Sequence, residues 1–246
     1  MRRAGLSQRA TAPERMDDST QGGAELEQAL RHLRVLNRLL GASGPVLYGV
    51  KRLWKASGRP HRLTVLDVGS GSGDINRALL RWADAQGVAL SIVLVDVTEE
   101  AQREAERSFN GEARVTFVRG SVFDLAPHQA DIVTASQFAH HYAESELPRL
   151  FERLLELSRT GVVINDIHRH WVPWAAVWLL TRIISRNRYI RHDGPLSVAK
   201  GFRADDFRSV ARCLGIDNLT LRWRPLFRYA AIIPARREGT INAQRR

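Results

Sequence analysis

The run Leu63-Thr64-Val65-Leu66-Asp67-Val68, followed at once by Gly69-Ser70-Gly71-Ser72-Gly73-Asp74, constrains the fold more than any other part of this chain. A short, mostly apolar and β-branched run bounded by glycines reads as a strand in the middle of a parallel sheet. Alternating glycines let the backbone turn tightly and approach a ligand closely. The helix predicted from about Asp74 through Trp82 would aim its free N–H groups at that ligand. A nucleotide-like ligand suits such a turn.

The details of the turn narrow the choice. Dinucleotide sites use G-x-G-x-x-G, and a P-loop continues into Lys-Ser/Thr. Here the pattern is G-x-G-x-G with Asp67 near the strand end and no such lysine, which favours a ligand without phosphates. A second apolar run, Ser91-Ile92-Val93-Leu94-Val95, ends in Asp96, placed where a carboxylate can accept hydrogen bonds from both ribose hydroxyls.

With these residues the chain resembles the class I S-adenosylmethionine (SAM)-dependent methyltransferases. The resemblance rests on Val65 to Gly73, Asp96, the run Val115 to Ser121, and Asp131 to Ser136 leading to His140-His141, and it spans roughly residues 60–235. It implies a doubly wound, Rossmann-like α/β fold with a seven-stranded, mostly parallel sheet. It also implies SAM as cofactor, held by Asp67, Gly69, Ser70, Gly71, Gly73, Asp96, Val97, Ser121, Val122 and Ser136. The His-His pair is similar to that of small-molecule and quinone-biosynthesis-type members. Ser121 stands where the family usually carries the acid that holds the adenine amino group; Asp124 or a backbone carbonyl is the substitute.

Alternating strands and helices after Val65 require crossover connections and hence parallel pairing. Strands are expected at 63–68, 91–96, 115–118, 131–136 and 161–166, then an antiparallel pair near 218–224 and 227–234, preceded by a helix over 204–214 that Gly215 stops. Residues 1–23, poor in apolar side chains, are expected to be a disordered tail. Residues 24–58 form a helical cap, with Leu26, Leu30, Leu33, Leu36 and Leu40 at helical spacing before Gly41, and a second helix near 46–56. The catalytic domain is then 59–236, with a lid segment over 168–200, and 237–246 is a basic tail. In the lid, Trp171, Trp174 and Trp178 share one face of a helix that is apolar nearly all round, so it either packs on the domain or walls a lipophilic acceptor, with contact to a membrane surface as a further reading.

Methyl transfer from a sulfonium asks for in-line positioning and, with an oxygen acceptor, removal of a proton. Histidine is the side chain whose ordinary pKa suits that task. The candidates are His168, directly after the fifth strand, where Asp166 could fix its tautomer; His192 in a turn His192-Asp193-Gly194-Pro195; and His140 and His141 after the fourth strand. His32, His61, His128 and His170 are expected at the surface, and no metal-ligand spacing is present.

The net charge of +11 invites a nucleic-acid reading, but the basic residues are almost all arginine, scattered, and concentrated in the tails. Ser136-Gln137-Phe138-Ala139 is not the acceptor-base motif of an RNA methyltransferase, so no specific nucleic-acid partner is expected. A non-catalytic SAM-binding module would be expected to carry a damaged turn or Asp96, and both are intact. The single cysteine, Cys213, is read as a core thiol. No run approaches the ~20 apolar residues of a membrane span, and the start lacks an apolar secretory core, so a cytoplasmic enzyme is expected. These residues point to methylation of a small lipophilic acceptor, at the oxygen of a phenolic or polyketide-type metabolite, with C-methylation of a quinone-type ring as the alternative.

Overall fold

The computed structural model describes residues 6–17 and 23–235. Its centre is a seven-stranded sheet: β1 (Arg62–Val68), β2 (Ala89–Asp96), β3 (Val115–Arg119), β4 (Ala130–Ser136), β5 (Ser158–Ile167), β6 (Thr220–Arg224) and β7 (Arg228–Pro234). The strand order is β3-β2-β1-β4-β5-β7-β6. The first five strands are parallel; β7 runs antiparallel between β5 and β6. The chain order reverses at β1, so its carboxyl end lies beside the crevice where ligands bind in open α/β sheets.

Side chains alternate along each strand, and the alternation divides the core. Leu63, Val65, Leu90, Ile92, Leu94, Ile132 and Val163 meet α2 (Ser43–Ala56), α3 (Arg77–Gln86) and α4 (Glu99–Ser108). Leu66, Val68, Val95, Val133, Ala135, Val162 and Ile164 meet α5 (Leu147–Leu157) and α8 (Ala204–Cys213) on the other face. Position 67 therefore faces the α2–α3 side and Asp166 the α5–α8 side, a division that later decides which side chain each acid can reach.

Several expectations are corrected here. The helix after the glycine turn begins late: a 3-10 turn, Asp74–Asn76, precedes α3, and the Asn76 side chain is turned toward Asp67 instead of capping the helix. Helix α2 is not part of a cap, because Val46, Val50, Leu53 and Trp54 lie in the sheet core and Gly49 sits against Val163 so closely that no Cβ would fit. Only α1 (Ala24–Leu39) reaches over the carboxyl ends of the strands, closed by Gly41 in the left-handed region.

The leader is also not a free tail over residues 6–17. Arg9 donates to the carbonyls of His140, Tyr142 and Lys200 at 3.2, 3.0 and 2.9 Å, and Asp193 accepts the backbone N–H groups of Arg15 and Met16 at 2.9 and 3.0 Å. The expected 237–246 tail lies outside the described residues.

Residues 192–195 are not a turn. They lie within α7 (Arg188–Lys200), where Pro195 is tolerated and Asp193 is buried as the anchor of the leader. Cys213 is exposed, since α8 buries Phe207, Val210 and Ala211, and position 213 falls off that stripe. Helix α6 (Trp171–Ile184) buries only Pro173 and Thr181 and leaves Trp171, Trp178, Leu179 and Ile183 in solvent. His170 caps α6 by accepting from Val172 N–H at 3.2 Å, and His32 bonds Ser185 at 2.7 Å; neither is a free surface histidine. Among the described residues no helix is long and apolar enough to cross a membrane.

Candidate active site

Two buried polar clusters flank the carboxyl end of β4. The first belongs to the glycine turn. Because Asp67 and Thr134 are register partners on the α2–α3 face, Thr134 Oγ1 donates to Asp67 Oδ1 at 2.7 Å, and Asn76 Nδ2 donates to Oδ2 at 2.5 Å. Burial pushes the Asp67 carboxyl up to about 6, against the help of these two hydrogen bonds. Asp67 thus braces the turn from beneath.

The three glycines divide their work. A Cβ at Gly69 would run into the Phe138 ring, and one at Gly73 would come within 2.5 Å of Leu94. At Gly71 the nearest side-chain atom, from Leu30 of α1, would be 4.0 Å away. Gly71 is therefore the point where the turn leaves room for a ligand. The Ser70 hydroxyl beside it is buried without a hydrogen-bond partner. Asp96 joins this turn to β2: Oδ2 accepts from Gly71 N–H at 2.9 Å, and Oδ1 accepts from the Thr98 N–H and hydroxyl, both at 3.1 Å. Oδ1 is used by both Thr98 donors, and Oδ2 keeps a lone pair for a further donor. An open cradle at Gly71, an orphaned hydroxyl and an aligned, half-buried carboxylate fit a ribose-bearing cofactor.

The other expected cofactor contacts are placed differently. Val97 is exposed at the end of β2, and the Val122 side chain lies in the core. Ser121 caps a short 3-10 turn by accepting from Phe123 N–H at 3.2 Å, and Asp124 is exposed. Ser136 is buried and accepts from Asn165 Nδ2 at 2.7 Å, while the same Asn165 group reaches the Ala42 carbonyl at 3.0 Å.

The second cluster is built around His140. Asp166, on the α5–α8 face, accepts from His140 N–H at 3.2 Å and pairs with His140 Nδ1 at 2.8 Å. It does not reach His168, so the expected Asp166–His168 pairing is corrected. Burial would raise the Asp166 pKa, but the adjoining His140 ring and the Ile167 N–H hold it below its ordinary value. His141 stacks on His140 with ring centroids 4.4 Å apart. On the far side, His140 Nε2 faces Glu14 Oε1 at 3.5 Å. Glu14 is itself buried, held by Ser197 Oγ at 3.0 Å and by the Lys200 ammonium at 3.6 Å. Donor atoms of Glu14, His140 and His141 lie within 4.8 Å of one another, but the cation beside this carboxylate is Lys200.

The remaining histidines stand apart. His168 donates its backbone N–H to Phe227 at 2.9 Å and packs edge-on against Tyr229; burial lowers its pKa, and the nearby His170, Arg203 and Arg169 add to that effect. Its Nδ1 is buried without a hydrogen-bond partner. His192 is half-exposed and bonded to Asp193 at 2.7 Å.

Sequence reasoning missed Glu14, Asn165, Lys200 and Phe138. Only Phe138 left a signal, a bulky residue soon after the fourth strand where the turn glycines need a covering surface.

Comparison with known proteins agrees with this fold. Residues 65–161 match the family model described as a methyltransferase domain, which covers the glycine turn, Asp96 and His140-His141. No curated protein matches the chain. A SAM-dependent methyltransferase from Aquifex aeolicus superposes with a TM-score of 0.59 at 17% identity, over 85% of this chain and 98% of its own. Human N-acetylserotonin methyltransferase in complex with SAM gives 0.61 at 14% identity, over 91% of this chain and 63% of its own. An O-methyltransferase family 2 protein from Planctomyces limnophilus in complex with apigenin gives 0.51 at 15% identity, over 71% and 51%. The sheet and its glycine turn define a class I methyltransferase fold. Residues 65–161 carry a methyltransferase domain on that fold, and the superposed structures include SAM-dependent methyltransferases.

Proposed function

We propose that the chain methylates the oxygen of a small lipophilic, phenolic acceptor, with His140 as the base. One observation carries the reading: a buried imidazole at the carboxyl edge of β4 whose Nδ1 is tied to a carboxylate at 2.8 Å. It stands two residues from Phe138, the ring that closes over Gly69. A proton fixed on Nδ1 leaves Nε2 as the acceptor, the arrangement a general base requires.

SAM, when bound, supplies an electrophilic methyl group on a sulfonium. In this reading Asp96 accepts a ribose hydroxyl with the remaining lone pair of Oδ2, and the open side of Gly71 lets the backbone come close. Asp67 stays beneath the turn and keeps its shape. Asp166 holds the His140 ring, and Nε2 takes the proton of the acceptor hydroxyl as it attacks. Glu14 faces Nε2 at a distance longer than a strong hydrogen bond, so the leader segment covers the base, and the acceptor reaches Nε2 only with that segment displaced. His168, beside Phe227 and Tyr229, contributes apolar surface on the far side of β5.

The flavone bound to the Planctomyces protein sets the first acceptors to try. Incubation with SAM and phenols of graded pKa, followed by mass spectrometry of products, should give an O-methylated phenol whose formation His140→Ala slows most for the least acidic acceptors. A product methylated on ring carbon, formed equally well by His140→Ala, would replace this reading with the C-methylation alternative.

A further inference from the structure

Helix α6 carries its apolar face outward. Trp171, Ala175, Trp178, Leu179 and Ile183 recur at intervals of three and four, so they form one stripe, and Trp171 and Ile183 are 61% and 71% exposed. The inward side of the same helix has only a small cluster to join, with Leu180 and Ile184 packed on Leu33, Leu36 and Tyr189. An ordinary surface helix does the reverse.

The stripe does not end with α6. Trp171 touches His170, His170 stacks on Phe227 with centroids 5.6 Å apart, and Phe227 meets the exposed Trp223 at 5.9 Å. The β6–β7 turn then places exposed Leu226 beside Gly41, at the end of α1, where Leu39 is also exposed. Exposed apolar surface shared by three elements marks an interaction site.

Charge identifies what it faces. Between Trp171 and Arg191 the chain has Arg182, Arg186, Arg188 and Arg191 and no acid. Arg182 lies flat on Trp178, its guanidinium 3.9 Å from the ring centroid, and Arg222 is exposed next to Trp223. A second copy of the chain would bring the same positive rim against itself, in a molecule already at +11. A nucleic acid would gain nothing from Leu179, Ile183 and Leu226. With 14 residues, α6 is about 21 Å long, short of the ~30 Å of a hydrocarbon core, so it suits lying in an interface and not crossing it.

We propose that the exposed face of α6, with the β6–β7 turn, docks the protein on an anionic lipid bilayer, with the tryptophans and Ile183 in the interface and the arginines on the headgroups. The inference deepens the lipophilic-acceptor reading, since the bilayer is then where the acceptor is collected. Binding itself needs no turnover.

The full-length protein should sediment with vesicles of phosphatidylcholine containing phosphatidylglycerol, and far less with phosphatidylcholine alone. Ile183→Glu and Arg186→Glu, both at exposed positions outside the site, should each weaken that binding about tenfold or more while leaving S-adenosylhomocysteine binding by calorimetry unchanged. Failure of the wild-type protein to sediment with anionic vesicles would overturn the proposal and leave the methyltransferase reading standing. So would sedimentation that Ile183→Glu leaves intact, which would place the contact elsewhere. A dimer in sedimentation velocity, or RNA retained on a filter, that Ile183→Glu abolishes would hand the face to a second copy or to nucleic acid.

Discussion

Asp67→Asn should make the protein's stability respond differently to pH, and the size of the effect follows from burial. In the unfolded chain this carboxyl titrates near 3.8; in the fold it is pushed up to about 6, chiefly by desolvation, with Asp74 and Asp96 adding repulsion. The protonated form is the one the fold prefers. Its contribution to stability is complete below about pH 4 and is lost as pH rises through about 6. A gap of about two units, at 1.36 kcal/mol each, is worth about 3 kcal/mol. Asparagine never ionises and keeps the shape: Thr134 still has an oxygen to donate to, and with the Asn76 amide turned over its Oδ1 accepts from the new Nδ2, replacing the present Nδ2–Oδ2 bond. The stability of Asp67→Asn relative to wild type should therefore improve by about 3 kcal/mol between about pH 4 and pH 7.5. For a chain of this size that is about 6–12 °C in Tm. Thermal unfolding followed by circular dichroism across that range reads it directly. Parallel curves for the two proteins would show that Asp67 is not a buried, destabilised carboxylate and would remove it as the brace of the turn.

His140→Ala should lower kcat by about 10²–10⁴ with S-adenosylhomocysteine affinity unchanged, while His168→Ala lowers it far less; Asp166→Asn should act in the same direction as His140→Ala. Asp96→Ala removes the acceptor of three hydrogen bonds, one from Gly71 of the turn and two from Thr98, and calorimetry should show cofactor affinity down at least about tenfold. Gly69→Ala drives a methyl group into Phe138 at a left-handed backbone position and should cost about 1–3 kcal/mol in denaturant unfolding. Gly71→Ala meets open space at a left-handed backbone position, so it should cost only the backbone strain of about 1–2 kcal/mol, retain the fold and lose cofactor binding.

The parallel strands were legible because their signal is local: apolar runs, glycine breaks and a strand-end acid each sit within a few residues of one another. The Asp166–His140 pair was not, because it joins a residue of β5 to one 26 positions earlier in the turn after β4, and sequence proximity favoured His168 as the partner of Asp166. Alternation could have helped, since it sets Asp166 on the α5–α8 face of the sheet. Glu14 gave no warning. A short polar leader looks disordered unless one knows that Asp193 and the 140–142 carbonyls wait for its backbone and for Arg9. The outward face of α6 was left open in the sequence for a physical reason: an all-round apolar helix is expected to be covered, and composition does not say by what.

The cap joins the two halves of the site. On the cofactor side, α1 is held to α4 by Glu104, nearly fully buried between Arg31, Arg34 and Arg107 at 3.3, 2.8 and 2.7 Å, and by Glu27 with Arg103 and Arg107. On the acceptor side, α1 packs on α7 through a cluster centred on Ala29, Leu36, Tyr189 and Ile190, far smaller than either cluster on the sheet. Local stability follows buried apolar contact, so this layer opens before the sheet does. Its ion pairs are made by arginines about a third to half exposed, which salt screens, whereas the sheet core has no such dependence. Because α4 follows Asp96 and α7 carries Asp193, which anchors the leader over His140, α1 packs on elements that border both clusters of the site. Leu180 and Ile184 of α6 pack on the same small cluster, so the layer that holds α1 also holds the helix with the exposed stripe.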